Sequence, residues 1–386
     1  VMKKINWVNF LHIYQPPWQD KGVIEQASSE SYEYLFGLLD KYPKFITTLN
    51  ITGSLVEQLE EFRPDLLKLL QALIKKGKVE LTGSAKYHAL LPLLPTEEIK
   101  RQILLNEEIL SKYFFKKPVG FYMPEMAYSK KVAEIVKDFG YQWIVLDAIN
   151  LDSKKEDDIL YEIKNVGLKV IFRDRKISKS YPAEVIYKKL KQKNKKTETI
   201  ITGTDGEMYG HFHKDWQGHL EKILQDDHLS IQSVSQYINN LTDNKVKKVK
   251  LLTASWETTA KELKKGVAFA LWQDPKNKIH RDLWKLTKLA IKIVNQNTKD
   301  SSWKWARWHL DRGLASCTFW WASATKPSDF SPLTWNPDMI DNGSEELVRS
   351  VRSLHKIKTS QRLKAERLYI QIKKNTWETH WRKYHK

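Results

Sequence analysis

Thr199-Ile200-Ile201-Thr202-Gly203-Thr204-Asp205-Gly206-Glu207 is the stretch on which the architecture turns. Its β-branched residues favour an extended strand, and two carboxylates follow where that strand must end. The same pattern recurs up to about residue 260, where short apolar runs alternate with longer segments of helical period. Candidate strands are 5–12, 45–51, 79–83, 119–123, 143–147, 168–172, 199–204 and 249–254, which gives seven or eight if one is false. Helix starts stand between them. Pro64-Asp65 precedes the apolar positions of 66–73, and Pro95-Thr96 precedes Glu97 and Glu98, acidic residues that suit the positive end of a helix dipole.

The ends of most of these strands are chemically loaded. His12, Asn50, His88, Glu125, Asp147, Arg173 with Asp174, Asp205, and Trp256 with Glu257 stand at or just past strand ends. In a parallel α/β barrel those ends converge on one mouth, so residues distant in sequence meet there. From about residue 275 the strand signals stop, and apolar residues recur at helical spacing: Ile279, Leu283, Leu286, Ala290 and Ile293, then Leu347, Val351 and Leu354. The expectation is an α/β chain with a catalytic barrel over 1–274 and a helical domain over 275–386 packed on it. Asn342-Gly343-Ser344, with Glu345 and Glu346 next, reads as the start of the later helix.

Bulk composition narrows the function. A chain of 386 residues, 41% hydrophobic, is long enough to bury a sizeable core. Lys3 and Lys4 precede an apolar stretch, but Asn6, Asn9, His12 and Pro16-Pro17 interrupt it too early for a secretory signal. No apolar run approaches the roughly 20 residues of a membrane helix. With Cys317 as the single cysteine no internal disulfide can form, and a cytoplasmic protein is expected. The net charge of +19 raises the question of nucleic acid, because clustered Lys and Arg neutralise phosphates. The basic residues are instead spread over helix-like stretches, and the densest run, 188–196, reads as a solvated helix end and loop, so no nucleic-acid partner is expected.

Five segments carry chemistry. His12-Ile13-Tyr14-Gln15-Pro16-Pro17 fixes an extended turn beside a strand-end His. Gly83-Ser84-Ala85-Lys86-Tyr87-His88 places a second His after another strand. Gly120-Phe121-Tyr122-Met123-Pro124-Glu125 sets a Glu behind a rigidifying proline and between aromatics, the fixed placement a nucleophilic carboxylate needs. In Asp205-Gly206-Glu207-Met208-Tyr209-Gly210-His211 two carboxylates stand two residues apart, so one is pushed toward its protonated form unless a cation or hydrogen bond compensates. An acid kept protonated near neutral pH is what glycosidic cleavage requires. Thr318-Phe319-Trp320-Trp321 belongs to a Trp-rich region in a chain with 15 tryptophans, and exposed indole faces suit the apolar faces of sugar rings. Trp272 lies in a further aromatic and polar loop. His12, His88, His211 and Asp205 are conceivable metal ligands, yet no His-Glu-x-x-His or paired-Cys spacing accompanies them, and none is assigned as a metal site.

Taken in this order, the five segments resemble the five signature regions of glycoside hydrolase family 57, over residues 12–323. The family's His and Gln-Pro fall on His12, Gln15 and Pro16, and its Gly and His on Gly83 and His88. The resemblance places the catalytic nucleophile on Glu125 and the general acid/base on Asp205. The sequence departs from the commonest first region, which carries a second His where Tyr14 stands. The resemblance further implies an incomplete (β/α)7 barrel followed by a C-terminal helical domain, no metal or organic cofactor, a retaining mechanism and an α-glucan or maltooligosaccharide substrate. Substrate contacts are then expected from His12, Gln15, His88, Glu207, His211, Trp256, Trp272, Trp320 and Trp321. The leading expectation is an α-amylase-like hydrolase. A 4-α-glucanotransferase or branching enzyme shares the chemistry, an inactive carbohydrate-binding protein shares the fold, and a metal-dependent polysaccharide deacetylase has a similar barrel. Oligomeric state is not legible.

Overall fold

A computed structural model describes residues 4–192, 197–241, 246–325 and 333–384. Lys3 and the 193–196 end of the basic run lie outside the described residues. Lys188 and Lys189 of that run form the last turn of the Pro182–Leu190 helix and pair with Glu184 and Glu198.

Ten strands form among the described residues: β1 (Ile5–Ile13), β2 (Thr47–Ile51), β3 (Val79–Gly83), β4 (Gly120–Phe121), β5 (Trp143–Asp147), β6 (Leu160–Ile163), β7 (Lys169–Arg173), β8 (Glu198–Asp205), β9 (Leu229–Gln232) and β10 (Val246–Val249). Their order is β10-β6-β7-β5-β4-β3-β2-β1-β8, with β9 beside β1. Every ladder is parallel except that between β6 and β7. β1 lies between β2 and β8 and is buried along almost its whole length, as a parallel strand covered on both faces must be. No ladder joins β7 to β8. Two bonds close that gap: Asp174 N donates to Ile201 O at 2.7 Å, and Arg173 Nη1 donates to Gly203 O at 2.7 Å. The curled ring β1-β2-β3-β4-β5-β7-β8 is the incomplete (β/α)7 barrel, and β6 and β10 extend the sheet beyond β7.

The helices between strands follow their local chemistry. Pro64 opens the Pro64–Lys75 helix, whose Leu66, Leu67, Leu70 and Leu73 are buried, each by about 1.5–3 kcal/mol of transfer free energy. Glu97 and Glu98 occupy the first turn of Thr96–Phe114. Ser129 accepts from Val132 N to begin Lys130–Asp138 immediately after the Glu125 segment.

The strands depart from expectation at β10, β6 and β9. Only 246–249 forms a ladder where 249–254 was expected, while Leu251 and Ala254 make single bridges to Leu151 and Tyr128. β6 and β9 carry no sequence signal, since four residues are too few for a period to show. The turn from β6 into β7 takes Asn165 and Gly167 through positive φ, 63° and 71°.

The chain forms two compact units. The first holds the segment ending at Gln15, Gln19–Lys86 and Leu91–Trp256, and with them every strand. The second holds Pro16–Trp18, Tyr87–Leu90 and Glu257–Lys386. It is helical, with Lys278–Gln296, Trp303–Gly313, Cys317–Trp321, Pro337–Arg352 and Thr359–Thr379. Leu283, Leu286, Ala290 and Ile293 of the first of these are buried. Asn342-Gly343-Ser344 does not start a helix: the start is Pro337, with Asn336 Oδ1 accepting from Met339 N. Gly343 serves packing, because a Cβ there would stand 1.8 Å from Thr318 Oγ1 on the neighbouring short helix.

Candidate active site

β4 is two residues long, and the chain beyond it is bent hard. Glu125 has φ 62° and ψ 17°, and Met126 comes next at φ 46°, so two consecutive residues with side chains occupy the left-handed region. Each costs about 1–2 kcal/mol, a strain found where function requires an aimed side chain. The turn is held by Met126 N to Met123 O at 2.8 Å, Ala127 N to Pro124 O at 3.0 Å, and Trp256 N to Glu125 O at 3.1 Å. Trp256 also donates from Nε1 to Glu125 Oε2 at 3.0 Å, which fixes the carboxylate.

Trp256 is anchored in turn. The Arg173 guanidinium lies 4.9 Å from its ring centroid. That guanidinium donates from Nε to Asp147 Oδ2 at 2.7 Å, and Arg175 Nη1 reaches Asp147 Oδ1 at 3.2 Å. Asp147 and Arg173 are buried, and a buried pair of this kind is kept only with its remaining donors and acceptors satisfied. Here Gly203 O accepts from Nη1 and Trp256 O from Nη2, at 2.7 and 3.5 Å.

His12, next to last in β1, is in register with Asn50 of β2 on one side and Asp205 of β8 on the other. Asn50 Nδ2 donates to Thr82 Oγ1 at 3.2 Å, which turns Asn50 Oδ1 toward the imidazole; His12 Nδ1–H donates to it at 2.7 Å. Burial holds the His12 pKa down to about 4, the Asn50 bond opposing only in part, so the ring is neutral at ordinary pH. Tyr122 stacks on His12 with centroids 4.6 Å apart and meets Trp256 edge-on at 6.1 Å. Burial first, then the charges of Glu125 and Asp205, push the Tyr122 phenol well above its usual range. Both carboxylates thus act on one buried ring.

The Asp205 turn uses its glycines for space. A Cβ on Gly206 would lie 2.4 Å from Ile13 Cγ2, and one on Gly210, which has φ 107°, would lie 2.0 Å from Glu30 O. Glu207 points inward and is buried, accepting from Tyr32 Oη at 2.5 Å and Gln15 Nε2 at 3.4 Å. Burial and then the neighbouring Asp205 charge raise its pKa to about 8, so Glu207 holds a proton at neutral pH. His211 is turned toward Glu30, with Nδ1 2.6 Å from Oε2. This bond is the largest cause holding Glu30 down at about 2.

The structure therefore gathers Glu125, Asp205, His12, Gln15, Glu207 and Trp256 within the first unit. Sequence reading did not select Tyr32, Tyr122 or the Asp147–Arg173 pair as site residues. Tyr122 and the pair stood at strand ends, a signal that could have found them, whereas Tyr32 closes a π-helical turn, Ser28–Tyr32, that leaves no pattern. Of the other expected contacts, His211 is in the first unit but turned toward Glu30, and His88, Trp272, Trp320 and Trp321 belong to the second unit. There His88, at φ 56°, bonds through Nδ1 to Ser316 Oγ at 2.9 Å. Trp272 is 1% exposed and presents no stacking face. Trp320 and Trp321 are half-buried, edge to face at 4.5 Å. Among the described residues no three His, Cys, Asp or Glu side chains converge as metal ligands would, and no helix is long and apolar enough to cross a membrane.

The sequence profile of glycosyl hydrolase family 57 matches residues 4–253, the whole of the strand-bearing region. The chain belongs to that family. An α-amylase of Pyrococcus horikoshii is 25% identical over 258 residues, which are 62% of this chain and 41% of that relative. The chain thus spans well under half the length of that relative. Among solved family 57 folds, the 4-α-glucanotransferase of Thermococcus litoralis superposes with a TM-score of 0.69 at 19% identity, over 92% of this chain and 60% of that one. The branching enzyme of Pyrococcus horikoshii gives 0.66 at 16% identity, over 97% and 96%. At these identities the two structures speak for the fold.

Proposed function

We propose that the chain is a retaining α-glucan-acting enzyme of family 57, hydrolytic in the manner of the α-amylases it resembles, with Glu125 as nucleophile and Asp205 as general acid/base. The run of contacts from Asp205, in register with His12, through the His12–Tyr122 stack to Trp256 and its bond to Glu125 carries this reading. Glu125 attacks the anomeric carbon as the glycosidic bond breaks, and Asp205 gives its proton to the departing oxygen. Asp205 then takes a proton from water, whose oxygen displaces Glu125 and restores the carboxylate. Protonated Glu207 supports this cycle, since it adds no second negative charge beside Asp205. Neutral His12, with Nδ1–H given to Asn50, adds no positive charge beside Asp205, its register partner on β8.

Family membership alone is equally compatible with transfer, in which a sugar hydroxyl replaces water. Incubation with a defined maltooligosaccharide distinguishes the outcomes: shorter products alone mean hydrolysis, longer ones transfer, and new branch points branching. Glu125→Gln should lower turnover at least 10³-fold, a ~4 kcal/mol rise in barrier. Near-normal turnover in that variant would remove the assignment.

A further inference from the structure

Trp305 and Trp308 stand one turn apart on the Trp303–Gly313 helix of the second unit and are 65% and 40% exposed. Their ring centroids are 6.2 Å apart and their planes meet at 81°, so the two indoles form a corner. Trp308 is held in place. The Arg312 guanidinium lies 4.2 Å from its ring centroid, and His309 meets it edge-on at 4.8 Å. Glu346 ties both supports together, hydrogen-bonded to His309 Nδ1 at 2.8 Å and ion-paired with the Arg312 guanidinium, 3.3 Å from Nε. The aliphatic residues of the same helix, Ala306 and Leu310, are buried. The outer face is therefore two indoles flanked by Lys304, His309 and Arg312, with no exposed aliphatic side chain of this helix beside them.

A ligand for this corner must offer a flat apolar face to one ring and a hydrogen-bonding rim to the flanking polar groups. A pyranose does both: its axial C–H bonds lie against an indole while its hydroxyls point sideways. We propose that Trp305 and Trp308 form a non-catalytic α-glucan-binding site, which holds a polymer chain on the second unit. The ligand class rests on the proposed family activity, whereas the site rests on the geometry of the corner.

The test is affinity electrophoresis of the full chain in gels containing amylopectin, with dextran gels as control. Wild type and Glu125→Gln should be retarded by amylopectin alike, and Trp305→Ala/Trp308→Ala should lose at least fivefold of that retardation. Its kcat on maltotriose should stay within twofold of wild type, which also shows that the variant folds. Trp305→Phe/Trp308→Phe, which keeps a stacking face, should retain most of the retardation. Retardation unchanged in the alanine variant overturns the site, as does equal retardation of wild type in amylopectin and dextran. A dimer in gel filtration that the alanine variant converts to monomer, with retardation intact, assigns the face to a second copy instead. Should Glu125→Gln keep its turnover while the alanine variant loses retardation, the catalytic assignment falls and this site stands.

Discussion

The Trp256 indole decides how Glu125 is presented, because its Nε1–H is bonded to Oε2 while its backbone N–H holds the same residue's carbonyl. Trp256→Phe keeps the ring over Arg173 and removes one donor. Its kcat on maltooligosaccharides should fall roughly tenfold to a hundredfold with KM little changed, on the order of 1–3 kcal/mol for a charge-assisted bond. Glu207 makes the opposite point, since a buried acid with a raised pKa opposes folding once it ionises. Its favourable contribution is complete below about 4.5 and is lost as pH rises through about 8. Glu207→Gln, which can still accept from Tyr32 and Gln15, should raise Tm relative to wild type at pH 9 and not at pH 5, by on the order of 4–5 kcal/mol of stability. The strand-end placement of Asp205 and Glu125 was legible because each follows a short β-branched or apolar run. The acid beside Asp205 was legible as charge crowding, but its proton depends first on burial, which no local pattern shows, and the bond from Tyr32, on a π-helical turn, opposes it.

At the scale of elements, the strands that line the barrel could be read almost to the residue where they carry β-branched runs, as in 79–83 and 143–147. β6 and β9 could not, because pairing with a neighbour rather than composition makes them strands. The glycines show a similar division. Asn342-Gly343-Ser344 looks like a helix start locally, and only the approach of Thr318 reveals why a residue without Cβ stands mid-helix. Gly343→Ala should therefore destabilise the protein by about 1–3 kcal/mol through overpacking, although alanine is the better helix former. Gly210→Ala should cost about 2–4 kcal/mol, because its φ of 107° adds strain to a clash with backbone. Denaturant melts of both variants check these values, and an unchanged midpoint for either would contradict the packing described.

The whole molecule inherits its pH response from a few buried groups. His12 and His280 are both held down to about 4 by burial, so each supports folding above its unfolded value near 6.5 and loses that support as pH falls toward 4. Glu207 works in the other direction up to about 8. From these three groups the native state binds fewer protons than the unfolded chain below 6.5 and more above it. Thermal stability should be greatest near pH 6.5, and Glu207→Gln should flatten the alkaline side of the Tm profile while leaving the acid side in place.

The bonds that bridge β7 and β8 bear on how such a molecule ages under heat. Arg173 spans the gap to Gly203, is paired with buried Asp147, and lies against the indole that holds Glu125. Parting of the ring at that point and release of the carboxylate are one mechanical event. An inactive yet still folded form should not accumulate on warming: residual activity and the circular dichroism melt should decline along a single curve, and a preparation that has lost half its activity should be half unfolded.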